Sequence, residues 1–455
     1  MLWAPLRAQA NGFDAFGAGA RSQGMAGSVG ATVSDYTAVY HNPASLVFGK
    51  PTLGIGVHAV YDHTTVVLMP RPSGYDPPGY ISRLNKRSDT PEPGGAGSMI
   101  TGVSFVPIPG RLAMGATVLM PLAGLSKIST SYADEREQFF SNQLSYTRLG
   151  ERMSREAIGF GAAYRFQPWI SMGLGIMVLP SVRTVNYVYT PNATKPENID
   201  LNMKIDTGLN QSVVAGLRLQ PSDELTVGLV FQDELQMGVT GYNEVQVRGT
   251  NDDKPIFQPI SFVQQYQPPR ATVSVAARTD GGTALNAEGS WLGWSRFTND
   301  QGVSGGFEDV IEWRLGLETA VADESAFRMG VAWKPSPVPT QDGRTNYVDN
   351  ARWVLSAGGG TGFELWGERF RVDAAFQFHG LVERTVHKRI LNSDAYPECE
   401  AARGPLCDEF PDPGGSATES TRVRSRGLQT GNPGFPGYRH GGYIIGAGMD
   451  VQWQF

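Results

Sequence analysis

Apolar and polar residues alternate with a period of two along most of the chain after residue 50. The last thirteen residues, YIIGAGMDVQWQF, place small or polar side chains on one face and apolar ones on the other. The apolar set is Tyr443, Ile445, Ala447, Met449, Val451, Trp453 and Phe455. Such alternation is typical of β-strands with one apolar face. Many alternating segments run for roughly 10–18 residues, longer than the usual strand of about 5–6 residues.

Short and long connections alternate between these predicted strands. Tight turns lie near 107–110, 166–169, 220–223, 279–282, 322–324 and 365–368. Long polar connections lie near 70–96, 122–152, 190–204, 242–268, 295–308, 336–349 and 384–437. A soluble sandwich has no reason to keep its loops so unequal, whereas outer-membrane barrels have short periplasmic turns and long extracellular loops. The pattern predicts an all-β protein, a transmembrane antiparallel up-and-down β-barrel of about 14 strands, over 51–455.

Composition and charge agree with a barrel and exclude some other classes. The 455 residues carry a net charge of −6, and 18% of them are charged. These values disfavour a basic nucleic-acid-binding protein and an acidic disordered chain. The sequence has no run of 18 apolar residues that would predict a transmembrane helix, but a barrel strand needs only about 9–11 residues.

The first fifty residues differ from the rest of the chain. Residues 1–10 end in Ala8-Gln9-Ala10, which fits a signal-peptidase site, so we expect a residual signal segment there. An ordinary frayed terminus is the alternative. Residues 11–50 are rich in Gly and Ala, too small for a separate domain. Because a barrel of about 14 strands encloses an open space, we expect this segment to be a hatch, or plug, inside it.

The sequence HNPASL stands where the predicted plug meets the first strand. Pro43 fixes its φ and ends a preceding helix, and Asn42, as the residue before a proline, favours extended backbone. The amide of Asn42 can bond to nearby backbone groups. We therefore interpret Asn42-Pro43-Ala44 as a hatch or gating motif, with a plain turn as the alternative.

The same N-terminal stretch resembles the FadL/TodX family of outer-membrane transporters of long-chain fatty acids and aromatic hydrocarbons. The resemblance rests on Gly12-Phe13, the small residues of 18–30, Asp35, Asn42-Pro43-Ala44 and the terminal Phe455. It implies a fourteen-stranded barrel with a hatch and passive uptake of hydrophobic molecules. Substrate would dock on extracellular loops, bind in a lumen pocket and leave after a hatch shift, sideways into the membrane. The long last loop with its cysteine pair departs from the family.

Candidate binding residues follow from this interpretation. The hatch and lumen would supply an apolar pocket through Phe13, Phe16, Met25 and Leu119. In the connection 122–152, the residues Phe139, Phe140 and Leu144 recur at helical spacing and would form a docking patch. The alternative is that these three residues cap the mouth of the barrel.

Lumen-facing arginines are candidates to bind a substrate carboxylate. They are Arg165, Arg218, Arg278, Arg314, Arg328 and Arg371, with Arg165 and Arg314 placed in the predicted site. The alternative is pairing with lumen acids, namely Asp62, Glu288, Glu318, Asp373 and Asp450. An uncharged hydrocarbon substrate would need no cation.

The cysteines, histidines and serines of the sequence predict no enzyme, cofactor or metal site. Cys399 and Cys407 would close a surface loop with a disulfide, or remain free thiols. The histidines are scattered, and no serine stands in a motif for nucleophilic catalysis. We expect a monomer in the outer membrane of a Gram-negative bacterium, in contact with its lipids and lipopolysaccharide, with a hydrophobic or lipid ligand and no nucleic acid. A polar-solute porin or a surface adhesin is the alternative function.

Overall fold

The fold is known from a computed structural model that describes most of the chain. The described residues are 16–69, 88–89, 94–122, 129–131, 144–148, 156–188, 199–247, 255–298, 302, 304–341, 346–388 and 437–455. Phe13, Phe139, Phe140, Cys399 and Cys407 lie outside them. The predicted signal segment 1–10 and the start of the plug at residue 11 do so as well, and these boundaries stay predictions.

Fourteen of the described strands form one closed antiparallel barrel, which confirms the predicted fold class. Each strand pairs with its neighbours in chain order, and β1 pairs with both β2 and β14, which closes the cylinder. The strands are β1 Thr52–Leu68, β2 Gly94–Ile108, β3 Leu112–Pro121, β4 Ala157–Gln167, β5 Ile170–Leu179, β6 Asn210–Leu219, β7 Leu225–Gln232, β8 Arg270–Arg278, β9 Thr283–Leu292, β10 Val310–Ala322, β11 Ser325–Lys334, β12 Arg352–Leu365, β13 Glu368–His387 and β14 Gly437–Gln454.

The two ends of the barrel differ in the length of their connections, as the sequence predicts. The short turns 109–111, 168–169, 220–224, 279–282, 323–324 and 366–367 all lie at one end, here called the turn end. The chain enters and leaves the barrel at this end, where Phe455 N donates to Pro51 O over 3.2 Å. The long connections lie at the opposite end, here called the loop end.

Side chains alternate between the outside and the lumen as the period of two predicts. On β10 the apolar Ile311, Trp313 and Leu315 are exposed, whereas Glu312 and Arg314 are buried. On β14 Met449 is exposed and Asp450 is buried. The barrel therefore presents an apolar outer surface and encloses polar and small side chains.

Four further strands continue β5 to β8 beyond the loop end. Val182–Val188, Ile199–Thr207, Leu235–Val247 and Ile256–Gln267 form a separate four-stranded antiparallel sheet. The wall is interrupted at 180–181, 208–209, 233–234 and 268–269, where Pro180, Pro268 and Pro269 have no amide hydrogen to donate. Parts of the predicted connections 190–204 and 242–268 are thus strands.

The other short elements lie in the connections at the loop end. Ser88–Asp89 pairs with the end of β1. Leu144–Arg148 pairs antiparallel with Ser129–Ser131 and parallel with Tyr347–Val348. A short 3-10 helix spans Trp294–Arg296. None of the helices in the described part of the chain has the length and apolar character needed to span a membrane.

Residues 16–50, here called the plug, lie inside the barrel. They contain the helices α1 Ala20–Gly24 and α2 Ala38–His41 and a 3-10 helix at Pro43–Phe48. Hydrogen bonds join the plug to seven strands of the wall: Ala44 O to Ser171 on β5, Asn42 to Leu217 on β6, Gly30 N to Glu288 on β9, Arg21 to Glu318 on β10, Gly24 O to Ser356 on β12, Phe16 O and Gln23 O to Gln377 on β13, and Asp35 to Gln452 on β14.

Glycines in the wall let the plug approach the strands closely. The fully buried ring of Tyr36 lies against Gly54 of β1 and Gly102 of β2. A Cβ at either glycine would overlap this ring. The lumen is therefore filled at this level by direct contact between plug side chains and barrel backbone.

The outward direction of Leu315 yields a first prediction. Leu315 lies near the middle of β10 and is 50% exposed, so Leu315→Arg places a charge in the hydrocarbon region. We expect the free energy of unfolding to fall by about 2–4 kcal/mol, measured by urea unfolding in lipid vesicles. Val321→Arg, at the turn end of the same strand, is the matched control and should cost only about 0–1 kcal/mol. Equal costs for the two variants would contradict the assigned position of Leu315.

Candidate functional site

The lumen has an uncharged half and a charged half. Among the described residues, strands β2 to β7 carry a single buried charged side chain, that of Arg218. Toward the loop end they present an apolar wall, formed by Ile100, Leu119, Ala157, Met177, Leu179, Val214 and Val230. Strands β8 to β14 instead carry most of the buried charges: Glu288, Glu312, Arg314, Arg328, Lys334, Arg352, Asp373 and Asp450. An amphiphilic molecule would thus meet apolar groups on one side and charged groups on the other.

Most arginines of the charged half pair with acids. Arg314 Nη1 lies 2.7 Å from Glu288 Oε1, and the guanidinium also pairs with Glu312. Arg328 donates to Glu318 over 2.6 Å and to Asp373 over 2.7 Å. The alternative interpretation, in which lumen arginines are neutralised by lumen acids, therefore describes Arg314 and Arg328, and Arg371 pairs likewise with Asp373.

The plug takes part in this network. Arg21 donates from Nε and Nη2 to the two carboxylate oxygens of Glu318, each over 2.9 Å, and from Nη1 to Thr32 O. Asp450 of β14 accepts from the amide of Ala20 at the start of α1. Because these groups are partly or fully buried, the ion pair and the hydrogen bond fix the position of α1 against the charged half.

A small cavity of about 30 Å³ remains between the plug and the charged half. Its lining includes Tyr40 and His41 of the plug and Arg270, Arg314 and Lys334 of the wall. This volume has room for one or two water molecules, and it is far too small for an acyl chain. An acyl chain therefore does not fit at this level beside the plug.

His41 lines the cavity as a neutral side chain. Its Nε2 donates to Ala18 O over 3.0 Å. Burial, reinforced by the charges of Arg270 and Arg314, lowers the pKa of His41 from 6.5 to about 4. Protonation of this ring would thus oppose the closed position of the plug.

Phe16 fills the space between the plug and the loop-end part of the lumen. Its ring lies between His58, at 4.8 Å between ring centroids, and His379, at 4.5 Å. It packs in the same cluster as Leu119 and the rest of the apolar wall. Two predicted pocket residues, Phe16 and Leu119, are thus brought together.

Met25 does not belong to this pocket, contrary to the sequence prediction. It packs with Val29, Val39 and Leu46 inside the plug. Its backbone and side chain lie against Gly316 and Gly330, on the wall opposite Leu119. The reason is that α1 ends at Gly24, so the following residue turns toward β10 and β11, where glycines leave room.

The Asn42-Pro43-Ala44 motif starts the 3-10 helix and anchors it to the wall. Asn42 has extended backbone with φ of −160°, and its Oδ1 accepts from Ala44 N over 3.1 Å. Its Nδ2 donates to Gly30 O over 3.0 Å and to Leu217 O over 3.4 Å. The motif therefore caps a helix and holds two plug segments and β6 together, which a plain turn would not do.

Arg165 lies far from Arg314, although the sequence places both in one site. Arg165 is at the turn end, where it donates to Pro168 O. Its guanidinium lies 4.6 Å from the ring centroid of Phe48, and that of Arg218 lies 3.9 Å from the same ring. The lumen thus has a second group of cations, on the other side of the plug from Arg314.

Leu144 is not part of a helix, contrary to the spacing argument. It begins the strand Leu144–Arg148, which pairs with Ser129–Ser131. The segment LSYTR is richer in strand-forming residues than the charged stretch before it, and pairing supplies its backbone with partners. Phe139 and Phe140 lie outside the described residues.

An aromatic cluster at the loop end escaped the sequence analysis. Tyr266, Trp294, Phe297, Phe307 and Tyr347 pack with centroid distances of 5.0–5.9 Å between neighbouring rings. They come from connections that look polar overall, and only their aromatic content could have indicated a cluster. Because these connections lie between β7 and β12, the cluster covers the mouth of the charged half.

Sequence comparisons give two kinds of relatives. Residues 2–401 match the family described as outer membrane protein transport protein (OMPP1/FadL/TodX). The chain is 24% identical over 392 residues to the long-chain fatty acid transport protein of Shigella flexneri, covering 77% of this chain and 83% of that protein. It is 24% identical over 254 residues to alkane uptake protein A of Marinobacter nauticus, covering 50% of this chain and 56% of that protein.

Solved structures share the fold. A FadL homologue of Pseudomonas aeruginosa superposes with a TM-score of 0.62 at 15% identity, covering 99% of both chains. The toluene transporter TodX of P. putida superposes with a TM-score of 0.52 at 12% identity, covering 97% of this chain and 99% of that one. Identities this low establish a likeness of fold alone.

The hydrogen bonds of Asn42 yield a second prediction. Asn42→Ala leaves Gly30 O and Leu217 O without this donor, at a cost of about 1–3 kcal/mol. We expect the plug to loosen while the barrel stays folded, so that ion conductance in planar bilayers rises. Asn210→Ala, near the loop end of β6, is the control, because that amide bonds only to the adjacent Gly208 O. Conductance equal to wild type in Asn42→Ala would contradict an anchoring role.

The depressed pKa of His41 yields a third prediction. The closed plug binds the proton less well than a displaced plug, so its stability is full above pH 6.5 and falls between pH 6.5 and about 4. Hydrogen exchange at α2 should accelerate over this window. His41→Gln removes the titrating group and should abolish that part of the pH dependence. An unchanged pH profile in this variant would rule out His41 as the cause.

Proposed function

Because the chain belongs to the outer membrane protein transport family (OMPP1/FadL/TodX), we propose that it takes up hydrophobic molecules passively through its barrel. Membership confirms the family resemblance and the outer-membrane location predicted from the sequence. The family consists of transport proteins, not enzymes, and the relatives above are named for fatty acids, alkanes and toluene. The short turns then face the periplasm and the long loops face the outside.

The observation that carries this proposal is the division of the lumen into two unlike halves. The apolar chain of a substrate would lie along Leu119, Met177 and Val214, and its polar head group would face the polar side chains of the opposite half. Burial of a chain of twelve carbons stabilises binding at about 0.8 kcal/mol for each CH₂ group. An amphiphile such as a fatty acid suits both halves, whereas an alkane uses only the apolar wall. We therefore favour fatty acids as substrates.

Movement of the plug would control access to this pocket. Phe16 belongs to the same apolar cluster as the wall residues and is held by Gln377, whose Nε2 donates to Phe16 O over 2.8 Å. A substrate that displaces Phe16 would occupy the same apolar surface and compensate for the lost contacts. The bonds of Asn42 lie near the other end of the plug and would keep its C-terminal part in place. Gating would thus involve the first part of the plug.

Release would occur sideways through the wall. The interruptions at 180–181 and 233–234 adjoin Leu179 and Leu235, which belong to the apolar cluster. Prolines at 180, 268 and 269 weaken the hydrogen bonding between strands there. An apolar chain leaving at this level would pass from the apolar wall into lipid without crossing water. We propose that the protein acts as a monomer in contact with outer-membrane lipids and lipopolysaccharide, with substrate docking first on its loops.

Leu119 gives the test of this function. Leu119→Arg places a charge in the apolar wall, and we expect uptake of radiolabelled laurate and dodecane into cells to fall at least tenfold, because an unpaired charge there disfavours an apolar chain. Leu119→Met conserves volume and should keep wild-type uptake. Folding of both variants is checked by the gel mobility of the unheated barrel. Uptake equal to wild type in a folded Leu119→Arg variant would contradict the pocket.

A further inference from the structure

Arg218 differs from the other buried charges that the structure describes in the barrel. It is 9% exposed and lies on β6, in the uncharged half. Its Nε and Nη1 atoms are buried and have no hydrogen-bond partner among the described residues. In the register of the sheet, its neighbours are Ser171 on β5 and Gly228 on β7, neither of which carries a charge. A buried guanidinium without a counter-ion is costly, so its retention calls for an explanation.

The surroundings of Arg218 combine positive charge with apolar surface. Phe48, at the end of the plug, lies between Arg218 and Arg165, with guanidinium-to-centroid distances of 3.9 and 4.6 Å. Phe48 and Val106 in turn pack against an apolar cluster that contains Leu46 and Ala163. In the described part of the chain, no carboxylate forms an ion pair with Arg165 or Arg218. The site thus offers two cations beside a ring and aliphatic side chains.

We propose that Arg218 and Arg165 form an anion-binding site at the turn end of the barrel, which takes the head group of an anionic amphiphile. The planar guanidinium of Arg218 has free N–H groups for a carboxylate or phosphate. The apolar chain lies along Phe48 and Val106. The plug separates this site from the apolar wall, so the two sites are distinct. The choice of amphiphiles rests on the proposed function, and the head group comes from a fatty acid or a phospholipid.

Binding measurements with two probes test the site and identify its ligand. Full-length protein in lipid nanodiscs is titrated with [1-¹³C]laurate or dodecyl phosphate, observed by ¹³C or ³¹P NMR, and signals from empty nanodiscs are subtracted. We expect Arg218→Gln to lower the affinity of one class of bound probe at least tenfold. Arg218→Lys keeps the charge but loses the fork of donors, and should give an intermediate affinity. The probe that binds wild type more tightly identifies the source of the head group.

A matched control lies at the same end of the barrel. Arg369 is 42% exposed and pairs with Glu324, so Arg369→Gln should bind both probes like wild type. Gel mobility of unheated samples establishes that each variant is folded. Undiminished binding of both probes to folded Arg218→Gln would overturn the proposal, as would an equal loss in Arg369→Gln.

The binding and uptake measurements distinguish failure of the proposed anion-binding site from failure of the proposed transport function. If wild-type cells take up no laurate while Arg218-dependent binding persists, the transport proposal fails and the site stands. If Leu119→Arg blocks uptake but leaves Arg218-dependent binding intact, both proposals are supported and the sites are separate. If Arg218→Gln binds like wild type while uptake depends on Leu119, the turn-end site is wrong and the transport function stands.

Discussion

The structure depends on one constraint, that a chain crossing the hydrocarbon region must pair its backbone N–H and C=O groups within itself. Antiparallel strands meet this constraint when the last strand pairs with the first, as β14 does with β1. Closure with fourteen strands leaves a lumen wider than wall side chains alone can fill. The need for a plug follows from this geometry, and the Gly- and Ala-rich composition of the first segment follows from the narrow space it occupies between wall strands.

The plug is held by different forces on its two sides. On the charged half, Arg21, Glu318 and Arg328 form a buried network in which each charge has an opposite partner. On the uncharged half, hydrogen bonds of Asn42 and Ser171 combine with close packing, in which wall glycines bring strand backbone against the plug, as at Gly216 beside Asn42. Directional bonds fix the position of the plug, whereas close packing excludes water. A ligand that competes for the apolar contacts need not break the ionic ones, which suits a plug whose parts move separately.

The difference between the charged and uncharged halves of the lumen also decides where a substrate would bind in the proposed transport. The charged half concentrates its cations around acids that neutralise them, so the lumen holds no large unbalanced field at the level of the plug. Arg218 and Arg165 are different, because they lie at the turn end beside Phe48, in the half where no buried acid is described. The lumen therefore offers an amphiphile an apolar wall on one side of the plug and cations on the other.

The amino-acid pattern alone was enough to predict the strands of the barrel wall, their faces, the unequal ends and the family, but not the extra strands in the connections 190–204 and 242–268. Alternation depends only on neighbours in the chain, so it assigned Leu315 to the lipid side and Arg314 to the lumen. Alternation could not assign the residue that lies opposite each charged side chain on the neighbouring strand. Arg314 lies opposite Glu288 and Arg328 opposite Glu318, whereas Arg218 lies between Ser171 and Gly228. These pairings depend on strand register, which is set by turn geometry and by the packing of whole strand faces rather than by alternation alone. The separation of Met25 from Phe16, and of Arg165 from Arg314, likewise arose only when the plug packed inside the closed wall, because both depend on contacts between residues far apart in the chain.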